Sequence, residues 1–232
     1  MLKTFTAFLV LLLAPVLNAA VDLETVLTNM DATAAKFQGL KADLEWVKYV
    51  SIVDIKSSEQ GLVLARRNKD KSVDLMIEFK TQDGKPYNYF VTVQASKAQI
   101  YRPQIATVEE YDVSAKSKDL MDQVLLLGFG PSGSYLKKNY NITLKGEEQA
   151  AGEETVKLEL IPKSKELLEK IPRLEMWVSK SNWHPVQDKL YEQNSGDYRV
   201  HTYTNIELNP PLKDSQFRLN LPGNVKKVRP QK

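Results

Sequence analysis

Apolar residues recur at helical spacing near the start of the chain and at alternate positions through most of the remainder. Leu23, Val26, Leu27, Met30, Ala34 and Phe37 fall 3, 4, 7, 11 and 14 residues from the first of them, which places them on one stripe of an amphipathic helix. Gly39 is the expected stop. From Leu40 the period changes to two. "ADLEWVKYV" alternates Leu44 and Trp46 with charged neighbours, and "DLMIEFK" alternates Leu75, Ile77 and Phe79 with Asp74, Glu78 and Lys80. "YNYFVTVQ" follows a "QDGKP" turn whose Asp83-Gly84 pair marks a hairpin. In the second half, "NYNITLKG", "TVKLELIP", "LEMWVSK", "PVQDKLYEQ", "YRVHTYTNIEL" and "FRLNLP" continue the alternation. The pattern predicts an α+β fold, mostly antiparallel β, of about nine to eleven strands. Residues 40–112 and 140–221 form one sheet on this reading, because no long helix separates consecutive strands. Alternating strands bury one face, and the expected covers are helices at 23–39, about 117–128, about 132–139 and 164–171.

One stretch breaks the alternation. In "DLMDQVLLLGFG", Leu120, Met121, Val124, Leu125, Leu126, Leu127 and Phe129 leave almost no polar face. It reads either as a fully buried core helix or as a lid over the sheet with a greasy ligand on its other side, in which case Gly128, Gly130, Pro131 and Gly133 form the hinge. "GFGPSG" also satisfies G-x-G-x-x-G. A dinucleotide site, however, needs a helix long enough to return over a parallel sheet, and only "SYLKKNY" separates Gly133 from the next strand. A crossover takes about a dozen residues or more, and Pro131 removes a backbone N–H from the loop.

The ends set the compartment. Met1-Leu2-Lys3, the apolar "FLVLLLAPVL" and the small residues of "LNAA" have the order of a secretory signal, with cleavage expected after Ala19 or Ala20. Residues 1–20 are therefore read as a signal peptide, and 21–232 as one exported domain. The chain has no cysteine, so a lipid anchor, disulfides and thiol chemistry are excluded, and stability has to come from a hydrophobic core. Of 32 basic residues Lys3 leaves with the signal, and the remaining 31 against 29 acidic residues create no field for nucleic acid to follow. The terminal "VKKVRPQK" reads as a solvated basic tail.

No catalytic constellation stands out. His184 and His201 are the two histidines and lack a spacing that would put two metal ligands on one face. His184 reads as a turn residue and His201 as a strand-face residue. Ser132 in "GPSGS" lacks the strand-to-helix turn of a nucleophile elbow. No metal, cofactor or enzymatic activity is expected.

The order of these pieces resembles the periplasmic outer-membrane lipoprotein carrier and sorting family (LolA-like) over nearly the whole mature chain. "AAKFQGLKADLEW" is similar to the family's first helix entering its first strand, and "GLVLARRNKDKSVDLMIEF" to its second strand and hairpin. "SKAQIYRPQIATVEEYDV" carries a Tyr-x-Pro element at Tyr101 and Pro103, and "LLLGFG" resembles the lid. Gly196-Asp197, "TNIELNPPLKDSQF" and "LPGNV" match the closing strands. Where the family has Arg-Pro, this chain reads Arg66-Arg67-Asn68, and Arg67 aligns better than Arg66 with the lid-contacting position. The resemblance implies an unclosed half-barrel covered by helices on its concave face, and a monomeric chaperone that shields acyl chains of lipoproteins between an inner-membrane donor and an outer-membrane acceptor. A lipid-binding or lipid-sensing regulatory module is the alternative. The candidate cavity and lid positions are Trp46, Leu75, Ile77, Phe79, Phe90, Leu120, Val124, Leu125, Leu126, Phe129, Leu136 and Met176, with Arg67 as the lid contact.

Overall fold

The computed structural model describes residues 21–70, 72–94, 97–112, 130–193 and 196–230. Helix α1 (Leu23–Lys36) starts where the Asp22 carboxylate accepts the Thr25 N–H at 2.9 Å, an N-cap that satisfies one of the four free donors. It buries Val26, Leu27, Met30 and Ala34, the predicted stripe. The helix ends at Lys36, ahead of the expected stop. Gly39 instead opens the first strand, because a Cβ there would stand 2.6 Å from the Ala65 carbonyl oxygen of the neighbouring strand.

Twelve strands follow: β1 (Gly39–Val50), β2 (Ile55–Arg67), β3 (Val73–Gln82), β4 (Lys85–Gln94), β5 (Lys97–Arg102), β6 (Thr107–Asp112), β7 (Tyr140–Ala150), β8 (Glu153–Pro162), β9 (Arg173–Ser179), β10 (Pro185–Tyr191), β11 (Tyr198–Leu208) and β12 (Lys226–Val228). They form one sheet in the order β12-β6-β5-β4-β3-β2-β1-β11-β10-β9-β8-β7. It is an open half-barrel made of two meanders joined by the antiparallel β1–β11 pair. Asp83 and Gly84 both take positive φ, 49° and 74°, as the tight β3–β4 hairpin demands. Two expectations fail here. "FRLNLP" is not a strand: Asp214–Phe217 is a 3-10 turn whose Phe217 is fully buried. The extra strand, β12, takes the count past the expected nine to eleven and pairs with β6 in parallel, the other pairs being antiparallel as expected.

Helices α2 (Gly133–Asn139) and α3 (Lys165–Lys170) begin at Ser132 and Ser164, whose hydroxyls cap them. Both match expectation to within a residue or two. The segment at 117–128 lies outside the described residues.

The core has three parts. Val26, Leu27 and Met30 of α1 and Leu136 of α2 pack on Val156, Leu158, Leu160, Leu174, Met176 and Leu190 of β8–β10. On the same face of the other half, Phe37, Leu40, Leu44, Val63, Leu75, Ile77, Phe79, Val93 and Tyr203 form a second cluster. On the opposite face, Leu64 and Met76 pack against Phe217. Among the described residues no helix is long and apolar enough to cross a membrane.

Candidate functional site

Period-two phasing assembles the second cluster. Leu75, Ile77 and Phe79 are 2%, 8% and 0% exposed, on the side of β3 away from Met76. Phe79 can reach this depth because a β-bulge sets Gly61 opposite it; a Cβ on Gly61 would lie 2.0 Å from the Glu78 carbonyl oxygen. Trp46 meets Phe79 with ring centroids 5.8 Å apart, and Phe79 stacks on Tyr89 at 4.6 Å. The Tyr89 hydroxyl donates to Glu59 at 2.9 Å, and burial first, then the Glu59 charge, raises its pKa above the ordinary phenol value. On the other side Trp46 meets His201 edge-on at 4.8 Å. The His201 Nδ1–H donates to the buried Asp188 carboxylate at 2.7 Å.

The adjacent arginines point to opposite faces. Arg66 pairs with Asp74 at 2.8 Å and Asp214 at 2.7 Å and lies 4.7 Å above the Phe217 ring, on the outer face. Arg67 shares its face with Val63 and Ala65. Its guanidinium donates to the Ala34 carbonyl near the C-terminus of α1 at 2.8 Å and to the Gly130 carbonyl at 3.4 Å. It also sits 5.1 Å over the Phe37 ring, and burial lowers its pKa from the usual arginine value. Gly130, at φ 77°, packs on the same ring. Three residues on, a Cβ at Gly133 would be 2.1 Å from the Leu27 carbonyl oxygen, so glycine lets α2 lie directly on α1. Asp31 locks the crossing by accepting the Ser134 N–H at 2.9 Å.

Beside this joint is an opening of about 440 Å³ lined by Asp31, Ala34, Ala35, Arg67, Gly130, Pro131, Ser132 and Tyr135. That volume is in the range of small-molecule sites. Behind Phe37, the fully buried His184 ring stands 5.7 Å away, and its Nδ1–H donates to the Pro185 carbonyl at 2.8 Å. Burial holds its pKa down to about 4. It is the turn residue expected, but an interior one.

The structure thus brings Trp46, Leu75, Ile77 and Phe79 together and sets Arg67 at their rim. Three other candidates lie apart. Leu136 and Met176, 0% and 1% exposed, belong to the helix-packed cluster of β8–β10. Phe90 corrects the sequence reading outright: it faces Glu78 across β3–β4 and packs by Leu64 and Met76 on the outer face. The apolar run "YFV" had hidden its phase. Leu120, Val124, Leu125, Leu126 and Phe129 lie outside the described residues. Phe37, Tyr89, Asp188 and Tyr203 were missed. Tyr89 shares the period-two phase of Val91 and Val93, and Asp188 that of Val186 and Leu190, so both could have been found. Among the described residues no group of three or more His, Asp or Glu side chains could hold a metal ion.

A family model described as "-like: Uncharacterized protein" matches residues 70–210. No curated protein matches the sequence. The fold is similar to that of an uncharacterized conserved protein from Thermus thermophilus, at 12% identity and TM-score 0.54, covering 89% of this chain and 98% of the other. It is also similar to MucB, at 14% identity and TM-score 0.50, covering 87% of this chain; the chain spans 64% of MucB's length. A LolA superfamily protein from Nitrosomonas europaea aligns at 13% identity and TM-score 0.41, over 86% of this chain and 99% of its own.

Proposed function

This chain belongs to the family whose model spans residues 70–210, and we propose that it is a non-enzymatic periplasmic carrier that shields acyl chains of lipoproteins or other lipidated cargo. The observation that carries the reading is the joint at Arg67. There an apolar sheet face, the end of α1 and the residue that follows the greasy "LLLGF" run meet beside an opening of about 440 Å³. The physical task is to keep methylenes out of water, worth about 0.8 kcal/mol each, and still release them. A lid needs low local stability for that, and an arginine bound to two carbonyls is a latch that can open without unmaking the core.

Near the site, Arg67 is held by two backbone carbonyls and His201 by the Asp188 carboxylate, structural engagements that support binding over chemistry. On this reading residues 1–20 are removed on export, the mature chain works as a monomer, and cargo passes between an inner-membrane donor and an outer-membrane acceptor.

The test pairs mass spectrometry of material co-purified from the periplasm with binding of a fluorescent fatty acid to Phe129→Glu. Acylated peptides in the wild type, with weakened probe binding and near-normal melting in the variant, are the expected result. Free lipid without acylated peptides would move the function to the lipid-binding alternative. Global unfolding of Phe129→Glu would make the run a core helix and sink the lid.

A further inference from the structure

The hairpin order returns the chain five times to one end of the sheet, opposite the Arg67 joint: at 51–54, 83–84, 103–106, 163–172 and 192–197. All the exposed large hydrophobic side chains among the described residues sit at that end. Ile52 is 91% exposed, Val53 57%, Ile55 57%, Ile105 63% and Leu168 37%. The β1–β2 turn carries the first three and is held stiffly. Ser51–Val53 is a 3-10 turn closed by Asp54 at φ 50°. The Ser51 N–H donates to Asp197 at 2.8 Å and the Tyr49 hydroxyl to Asp54 at 2.9 Å. These contacts fix the turn and leave Ile52 uncovered at its tip.

We infer that this end is a docking surface for an anionic lipid bilayer, with the Ile52 turn as its principal wedge. Three observations select a membrane over a folded partner. The apolar points are small and separated: at about 4.8 Å per strand they spread over roughly 40 Å of curved edge from Ile105 to Leu168. A fluid surface accepts such points, whereas a protein interface buries one contiguous, complementary patch. Below the wedge Tyr49 stacks on Tyr198 at 4.9 Å, with Tyr191 at 6.3 Å from Tyr198, and amphipathic rings of this kind favour the headgroup level. Finally, lysines flank the wedge on both strands, Lys48 on β1 and Lys56 on β2, beside the one exposed acid of the turn, Asp54. Glu192 is taken by Arg199 at 2.6 Å. Among the described residues Lys48 and Lys56 have no carboxylate within ion-pair distance, and Lys189 rests 3.9 Å over the Tyr198 ring. Unpaired lysines beside an apolar wedge complement anionic headgroups.

The docking is independent of the acyl cavity and is tested without cargo. Because the chain has no cysteine, Ile52→Cys carries a single environment-sensitive fluorophore, and Lys69→Cys, at the opposite end of β2, is the control. With mixed phosphatidylethanolamine and phosphatidylglycerol vesicles the label at position 52 should shift to the blue while the label at 69 does not. Ile52→Asp should lower the vesicle partition constant read from co-sedimentation by about tenfold or more, the scale of burying one isoleucine side chain. Lys48→Gln with Lys56→Gln should weaken sedimentation with anionic vesicles only. Equal shifts at both labels, or unchanged sedimentation of Ile52→Asp, would overturn the inference. So would a shift at position 52 that grows with protein concentration in the absence of lipid, which would make the end an interface between copies.

Discussion

Neighbouring arginines with opposite duties give the sharpest test of the site. Replacing Arg67 with Met removes the guanidinium that binds the Ala34 carbonyl at 2.8 Å and the Gly130 carbonyl at 3.4 Å. A hydrogen bond from a charged donor is worth about 1.5–3 kcal/mol, the longer bond adds little, and relief from burying the cation offsets part of the loss. A net cost of about 1–2 kcal/mol follows, or a fall in melting temperature of about 2–8 °C for a domain of this size. Replacing Arg66 with Met strands Asp74, which is 6% exposed. Breaking a buried pair costs about 3–5 kcal/mol, and because Arg66 is 23% exposed the lower end applies, about 6–12 °C. The functional order should be reversed. If the Arg67 joint holds the closed arrangement, the same 1–2 kcal/mol should speed release of a fluorescent fatty acid about 5- to 30-fold in Arg67→Met, measured by stopped-flow displacement. Arg66→Met, the less stable variant, should release at the wild-type rate. Equal acceleration in both variants, or none in Arg67→Met, would refute the latch.

Two further predictions concern the frame around the joint. Gly133→Ala should separate α1 from α2 and cost about 1–3 kcal/mol by overpacking, since the intruding Cβ meets backbone, the Leu27 carbonyl; Gly223→Ala, with nothing near its Cβ, should melt as wild type, and equal melting of the two variants would sink the argument. His184 is held neutral, its pKa down to about 4 against about 6.5 unfolded, so its contribution is complete above pH 6.5 and is lost as the pH falls towards 4. The loss is about 3 kcal/mol, read as the pH slope of urea-unfolding stability, and His184→Gln should flatten that slope; an unchanged slope, or a His184 titration near 6.5 by NMR, would count against it.

Much of this architecture is written in the period of the sequence, and the failures share a cause. Strands β1, β3, β4 and β7–β11 are read from the alternation because each hides one face and the period records it, whereas β2 buries Val63, Leu64 and Ala65 in succession. "FRLNLP" alternates too, and Phe217 and Leu219 do pack on the outer face, yet the segment lies across the sheet. Burial on one side produces the same pattern with or without a hydrogen-bonded neighbour. β12 left no trace, since three residues, "KKV", paired in parallel are fixed by where the chain returns. Phe90 was placed by size although its phase matches Asn88 and Thr92. Arg67 could be separated from Arg66 by the same parity, Val63 and Ala65 on one face and Leu64 on the other. What period cannot supply is which half of the sheet a helix covers, and so Leu136 and Met176 were grouped with Phe79, although α1 lies across β8–β10.

That division of one sheet into two apolar clusters has a physical agent in the seam between them. Leu190 on β10 belongs to the helix-packed cluster and Tyr203 on β11 to the other. Between them Asp188, 3% exposed, accepts from the His201 ring at 2.7 Å and from the Tyr203 hydroxyl, whose pKa burial and then this carboxylate drive upward. A buried carboxylate without partners would cost several kcal/mol, so the seam is stable only with these bonds made, and a satisfied polar network of this kind fixes one arrangement. The two clusters therefore meet at a fixed boundary instead of merging into one continuous core. For a carrier this separation matters. The half closed by α1 and α2 through Gly133 can supply the stability of the domain, leaving the half bounded by Arg67 and Trp46 free to change its filling as cargo enters and leaves.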